Sequence, residues 1–313
     1  MTEDSRPVIG FVGVGNMGRP MVAALIEAGN DVIVHDRDAA VAASVASETG
    51  AGAASDLASL GAASDIIILM LPDGKIVAEV VLGAGGIADG LSPGALIIDM
   101  SSSFPPGTVE LGARLAARGI ELVDAPVSGG VRRAVTASLA IIAGGEEAAV
   151  SRAAPVLEAM GSVIRTGPLG SGHAMKALNN FVSAAGLAAA CEALLIGERF
   201  GLDPEVIVDV LNASSGRNTA TETKLRQFVL SGSFGSGFAA SLMAKDIRAA
   251  EDLAESLDVA APMLAFSTEL WKEAAAALEP GADHTAMFRH LSSLSRDAVS
   301  VRVANEAADA SYL

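Results

Sequence analysis

The stretch Val8-Ile9-Gly10-Phe11-Val12-Gly13-Val14-Gly15-Asn16-Met17-Gly18 decides the fold class. A short strand-forming run enters a GxGxxG loop, and residues 17–28 then carry apolar side chains at helical spacing. A strand that turns over three glycines into a helix is the opening of a dinucleotide-binding βαβ unit. Gly13 permits the tight turn, Gly15 lets the backbone approach a pyrophosphate, and Gly18 packs the helix on the strand. Asn16 and Met17 complete the loop, and the helix N-terminus receives phosphate charge. The next strand ends at Asp36, 23 residues past Gly13, at the spacing of the acid that accepts hydrogen bonds from an adenosine ribose. A carboxylate there repels a 2′-phosphate, so NAD is the preferred cofactor. Arg37 beside it is the residue that would pair with that phosphate, which keeps NADP as the alternative.

Outward from this loop the first half of the chain repeats strand and helix. Strands are predicted at 8–12, 31–35, 65–71, 95–99, 121–124, 139–143 and 162–165, with helices between them at 17–28, 39–47 and 108–118. Apolar runs with no polar alternation imply a parallel sheet covered on both faces. After Gly167-Pro168 the strand signals stop. Helices are predicted at 170–200, from an Asp203 cap with Pro204 in first position, and at 220–230, 239–257, 263–277 and 285–307. The expected fold is therefore α/β: a Rossmann-type doubly wound domain over 1–167 and an all-helical substrate and oligomerisation domain over 168–313, joined by the long helix 170–200.

Composition narrows the function. A chain of 313 residues, 51% apolar and 19% charged, buries a large core. Its net charge of −16 repels phosphates, which argues against nucleic acid or an anionic membrane as partner. One cysteine, Cys191, makes no intrachain disulfide and reads as a small core residue. CxxC, HExxH and clustered histidines are missing from the sequence, so no metal site is expected. The N-terminus lacks a signal-peptide pattern, and the longest uncharged apolar runs, 66–72 and 181–191, are too short to span a bilayer. A soluble cytoplasmic protein is expected.

Five further motifs follow in order: DIIILMLPD (65–73), IIDMSSSFP (97–105), DAPVSGG (124–130), GSGHAMKALNN (170–180) and FAASLMAKD (238–246). Together with the glycine loop they resemble the β-hydroxyacid dehydrogenase family, over nearly the whole chain. The resemblance implies Lys176 as the catalytic lysine and Asn180 as the asparagine that holds substrate and lysine in register. It implies that Ser128, Gly129 and Gly130 grip a substrate carboxylate, and that Lys245 stands near both cofactor and substrate. Leu71, Pro72 and Ser102 match positions beside the cofactor, Ser102 close to the nicotinamide. The activity implied is interconversion of a short 3-hydroxy carboxylate and its semialdehyde. Imine reductases share the architecture but usually lack the lysine at position 176, and a non-catalytic dinucleotide-binding module is the other alternative.

The residues support the same chemistry independently. Positions 176 and 180 are i, i+4, so both side chains leave one helix face. A nicotinamide carries the hydride and leaves the protein one proton to move. A free lysine near pKa ~10.4 is too basic for this at neutral pH; desolvation and a second cation such as Lys245 would lower it. Lys176 sits among Ala174, Met175, Ala177 and Leu178, which predicts burial. His173 is expected to face solvent at the helix start, and Arg132 and Arg133 either to add to an anion pocket or to lie in solvent. Two departures from the family stand out. Asn218 and Thr219 replace an aromatic after Ser215-Gly216-Arg217, and Ala137 stands where the family usually has glycine. Trp271 is expected to pack within the second domain, small residues over 184–190 to permit close helix packing between subunits or domains, and the protein to form a homodimer or homotetramer.

Overall fold

A computed structural model describes residues 6–294. Among the described residues, nine strands form one sheet: β1 (Ile9–Val12), β2 (Val32–His35), β3 (Gly52–Ala53), β4 (Ile66–Leu69), β5 (Leu96–Asp99), β6 (Glu121–Asp124), β7 (Val127–Ser128), β8 (Leu139–Gly144) and β9 (Gly161–Gly167). Their order is β3-β2-β1-β4-β5-β6-β8-β7, with β9 paired to β8. The helices around them are α1 (Gly18–Glu27), α2 (Ala39–Thr49), α3 (Leu57–Ala62), α4 (Gly74–Leu82), α5 (Pro105–Ala116), α6 (Gly130–Val135) and α7 (Glu147–Glu158).

Alternation along the strands explains why the runs are apolar throughout. Ile66 and Ile68 enter one buried cluster with Phe11, Val34 and Ile98, against Met21 and Leu25 of α1 and Val150 and Leu157 of α7. Ile67 and Leu69 enter the other with Ile97, against Leu60 of α3, Val77 and Val81 of α4, and Leu111 and Leu115 of α5. Helices cover both faces, as in a doubly wound sheet.

The expected parallel sheet runs from β3 to β6, and beyond it the pairing is mixed. β8 runs antiparallel to β6 and to β7, while β9 returns parallel to β8. A parallel return needs a helical crossover. Between β6 and β8 the chain forms only β7 and the six-residue α6, so it comes back the other way.

The remaining helices are α8 (Ser171–Phe200), α9 (Pro204–Ala213), α10 (Thr219–Thr223), α11 (Ala240–Ser256) and α12 (Pro262–Ala277). Asp203 caps α9 through the Glu205 N–H at 2.8 Å, with Pro204 in the first turn. The helix expected over 220–230 divides into α10 and a π-helical turn at Leu225–Leu230. α11 packs on α12, and Trp271 of α12 is fully buried. The last described helical residues are 287–294; the rest of the helix expected to 307 lies outside the described residues. The chain packs as two compact units that divide between Ala177 and Leu178, inside α8.

α8 differs from its sequence reading in one way. By length, and with a mean hydropathy of 1.5 over an 18-residue stretch, it is apolar enough to cross a membrane, although its uninterrupted apolar run is short; 44% of that stretch is buried within the chain. Within the stripe of small residues over 184–190, Ala184, Ala188 and Ala190 are buried in the chain. Cys191 is buried too, and burial pushes its thiol up to about 12.

Candidate active site

The strand order reverses between β1 and β4, which both pair in parallel with their neighbours. Ligands of open α/β sheets bind at such a switch point, beyond the carboxyl ends of the strands. The glycine loop leaves β1 here. Gly13 adopts φ +91°, and a Cβ on it would come within 2.3 Å of the Met70 carbonyl oxygen, at the end of β4. A Cβ on Gly18 would sit 2.0 Å from the Gly13 carbonyl oxygen. A Cβ on Gly15 would meet nothing within 4 Å, so no packing inside the chain accounts for a glycine there. Close approach of a ligand to the loop does, and the residues therefore fit a dinucleotide.

Asp36, at the end of β2, is half-buried and reaches the loop. Its Oδ2 accepts the Val14 N–H at 3.0 Å and its Oδ1 the Asp38 N–H at 3.0 Å. Each oxygen keeps a lone pair for a ribose hydroxyl. Arg37 is exposed. The neighbouring loops are tied together: the Leu71 N–H donates to Ser101 Oγ at 2.9 Å. Ser101 and Ser103 are buried, with half-buried Ser102 between them. Asn16 and Met17 lie at the loop tip before α1, and Pro72 follows Leu71 beyond β4.

The start of α8 is anchored by Asp124, at the end of β6. Its carboxylate accepts the N–H groups of Gly170 (2.8 Å) and His173 (2.7 Å). Burial lifts the Asp124 carboxyl above its ordinary range, against the pull of His173 and these donors. His173 is not the solvent-facing residue the sequence suggests, since its side chain is fully buried. One turn on, Lys176 is half-buried, and its neighbours Met175 and Leu178 are 45% and 40% exposed, less enclosed than their apolar character predicts.

Ser128 ends β7, and Gly129 and Gly130 follow with φ of +128° and +63°. A Cβ on Gly129 would collide with the Arg133 side chain, 2.4 Å away, so Arg133 folds back over the loop. Arg132 is exposed. Further along, Ala137 holds φ +47°. The left-handed conformation explains why glycine is usual at that position.

In the second unit, Asn180 is buried and its Nδ2 donates to Asp246 Oδ2 at 2.6 Å. Asp246 is itself 5% exposed and lies 3.5 Å from Lys245 Nζ. The sequence marks Lys245 but misses Asp246, because an acid beside a lysine on an amphipathic helix resembles a solvated pair. Only its burial against Asn180 reveals it. The departure at Asn218 also resolves: Asn218 caps α10, accepting from Ala220 and Thr221 N–H groups in a capping box with the Thr221 hydroxyl. Among the described residues, no cluster of three or more His, Cys, Asp or Glu side chains is placed to hold a metal ion.

Comparison with known proteins agrees with both parts of this arrangement. The sequence profile of the NAD binding domain of 6-phosphogluconate dehydrogenase matches residues 8–168. That of the NAD-binding domain of NADP-dependent 3-hydroxyisobutyrate dehydrogenase matches residues 170–291. The chain is 39% identical to 2-(hydroxymethyl)glutarate dehydrogenase of Eubacterium barkeri, over 84% of this chain and 88% of that one. It is 35% identical to 3-sulfolactaldehyde reductase of Escherichia coli, over 90% and 95%. The structure of Mycobacterium tuberculosis 3-hydroxyisobutyrate dehydrogenase with L-serine superposes with a TM-score of 0.84, at 33% identity over 92% of this chain and 99% of that one. An imine reductase from Myxococcus stipitatus shares the fold at only 18% identity, with a TM-score of 0.63 over 92% and 100%.

Proposed function

The chain belongs to the β-hydroxyacid dehydrogenase family, and from that premise we propose that it interconverts a short 3-hydroxy carboxylate and its semialdehyde, with Lys176 as the proton-transfer group and NAD preferred over NADP. The nicotinamide, when bound, supplies or accepts the hydride. The Ser128 hydroxyl and the N–H groups of Gly129 and Gly130 hold the substrate carboxylate. Asn180 aligns the hydroxyl, and Lys176 Nζ takes its proton during oxidation and returns it during reduction. Lys245 adds positive charge for the anionic substrate, with Asp246 fixing Asn180.

One observation carries this reading: α8 presents a half-buried lysine and, one turn later, a buried asparagine whose amide is committed to a buried carboxylate. A module that only bound nucleotide would have no use for that pair. The relatives' names point to acids of differing size and to a sulfonate; Ser128 with two N–H donors suits a compact carboxylate. NAD preference rests on Asp36, whose carboxylate stands at the loop while Arg37 lies in solvent. We assign self-association, as a homodimer or homotetramer, to the helical unit, where Val182, Ile196 and Phe200 of α8 are exposed. A cytoplasmic location belongs to the same proposal.

The test follows reduced-nicotinamide absorbance with NAD and with NADP over a panel of short 3-hydroxy acids at mildly alkaline pH. Turnover of at least one acid, faster with NAD, is expected. Lys176→Ala should lower kcat by roughly a hundredfold or more while NADH affinity stays within about twofold, because the lysine acts on the substrate proton. Cofactor binding without turnover of any acid would sink the proposal and favour the non-catalytic module or imine reduction. Near-normal turnover by the variant would remove Lys176 from its role.

A further inference from the structure

Asp99 and Asp124 end the adjacent strands β5 and β6 side by side in register, and both are buried. Each holds a different segment. Asp99 accepts the Ser101 N–H at 3.0 Å and the Ser103 hydroxyl at 2.8 Å, which fixes the loop carrying Ser102. Asp124 holds the first turn of α8 through Gly170 and His173. The imidazole of His173 lies between the two carboxylates, Nε2 3.7 Å from Asp99 and Nδ1 3.7 Å from Asp124.

The ring makes two further bonds. Nε2 is 3.1 Å from the Ser101 carbonyl oxygen, which only accepts, so Nε2 carries a proton. Nδ1 is 2.8 Å from the Thr108 hydroxyl on α5. That hydroxyl is free to donate to Nδ1, or to turn to the Phe104 carbonyl at 3.3 Å. One side chain thus joins the loop after β5, the start of α5 and the start of α8. The first turn of α8 is seated closely on Asp124: a Cβ on Gly144 or Gly172 would come within 2.6–2.8 Å or 2.3–2.9 Å of its neighbours, the Asp124 carboxylate among them in both cases.

We propose that His173 is a positioning residue for the reaction: its ring locks the 101–103 loop to the first turn of α8, and so sets where Lys176 stands relative to the nicotinamide. This rests on the proposed roles of Lys176 and Ser102. Lys176 follows His173 by three residues on one helix, and Ser102 lies between the two serines that Asp99 holds, so any slip at the ring moves one against the other. Misplacement of a reacting group by about 1 Å costs on the order of a hundredfold in rate. A histidine that merely filled the core would lower stability without changing the rate of the folded enzyme.

The variants are His173→Leu, which removes both ring bonds, and His173→Gln, whose amide N–H reaches the Ser101 carbonyl. The readouts are kcat and KM, the emission of bound NADH, and thermal stability. Leu is expected to lower kcat by roughly tenfold to a hundredfold, with NADH affinity and substrate KM within about threefold, and to shift the bound-NADH emission. Gln should recover most of both. Folded His173→Leu with wild-type emission and kcat within about twofold overturns the proposal, as does a fall in stability alone. If His173→Leu does not fold, Thr108→Val, which removes only the Nδ1 bond, takes its place: a lower kcat supports the proposal and an unchanged one overturns it. Should the wild type turn over no hydroxy acid, the dehydrogenase reading fails by itself, and the NADH emission of the variants still decides whether His173 places the nicotinamide.

Discussion

Asn180 shows how a single side chain is made unambiguous. Its Nδ2 spends a hydrogen bond on Asp246 and its Oδ1 receives one from Asn179 at 3.2 Å, so the amide cannot flip without losing both. Hydrogen bonds to a carboxylate contribute ~1.5–3 kcal/mol. Asp246→Ala should therefore lower kcat/KM by roughly ten- to a hundredfold, mostly through the substrate and not through NADH, as steady-state kinetics with each varied in turn would show. An equal loss for both would mean that Asp246 serves the fold instead. Ala137 offers an opposite case, a residue at odds with its backbone. Its left-handed φ of +47° crowds Cβ against the carbonyl at a cost of ~1–2 kcal/mol, partly offset by the greater unfolded freedom of glycine. Ala137→Gly should raise the melting temperature by about 2–4 °C; a lower one would show that the strain is relieved elsewhere. Lys176, Asn180 and Ser128 enter the proposed site on the strength of their sequence motifs alone. Asp246 and His173 were not, since nothing local says that an acid in a charged helix, or a histidine in a first turn, will be buried.

At the scale of elements, β1, β4 and β5 were legible because both of their faces are buried and their runs are apolar up to the last residue, and β2 and β6 because their apolar residues are the buried ones. β3 and β7 hold two residues each, too few for any period, and the reversal at β8 depends on what the chain does between strands. The break after α10 is similarly non-local: apolar spacing continues through 225–230, but the turns there widen to π geometry. Two glycines separate the demands of fold and ligand. A Cβ on Gly144 would lie 2.6 Å from Ser171 Oγ, 2.7 Å from Asp124 Oδ1 and 2.8 Å from Gly172 N, so Gly144→Ala must shift either β8 or the start of α8. That overpacking should cost ~1–3 kcal/mol. Gly15→Ala meets no protein atom within 4 Å and should leave stability unchanged, while weakening NADH binding by roughly tenfold or more through the lost approach to the pyrophosphate. Urea unfolding and NADH titration of the two variants would check this, and a stability loss at Gly15 would show that its glycine answers to folding after all.

Over the whole molecule, acid should act through two opposing effects. The net charge of −16 eases as carboxylates protonate, which relieves self-repulsion. Against this stands His284 in the helical unit, 3% exposed, its Nδ1 3.0 Å from the Phe238 carbonyl and 3.1 Å from Ser236 Oγ. Burial, helped by the Lys224 cation, lowers its pKa to about 4, although Asp283 and the Phe238 carbonyl pull the other way. The unfolded chain takes up this proton near the ordinary histidine value of 6.5 and the folded chain only near 4. Between those values the unfolded state binds more protons, so the stabilisation is complete above 6.5 and drains away as the pH falls to 4. The loss amounts to ~3 kcal/mol. Asp283 cannot mimic it. Burial would raise its carboxyl, but the Thr285 hydroxyl and N–H outweigh that and hold it below 3.8, so its own loss begins only at lower pH. His284→Asn, whose amide N–H can replace Nδ1–H toward Phe238, carries no proton to gain. Urea unfolding of the wild type from pH 7 to 4 should show the helical unit weakening, and the variant should show a flatter dependence by that same ~3 kcal/mol. Parallel curves for the two proteins would mean that His284 is protonated in the fold already, and that relief of the acidic surface governs the response alone.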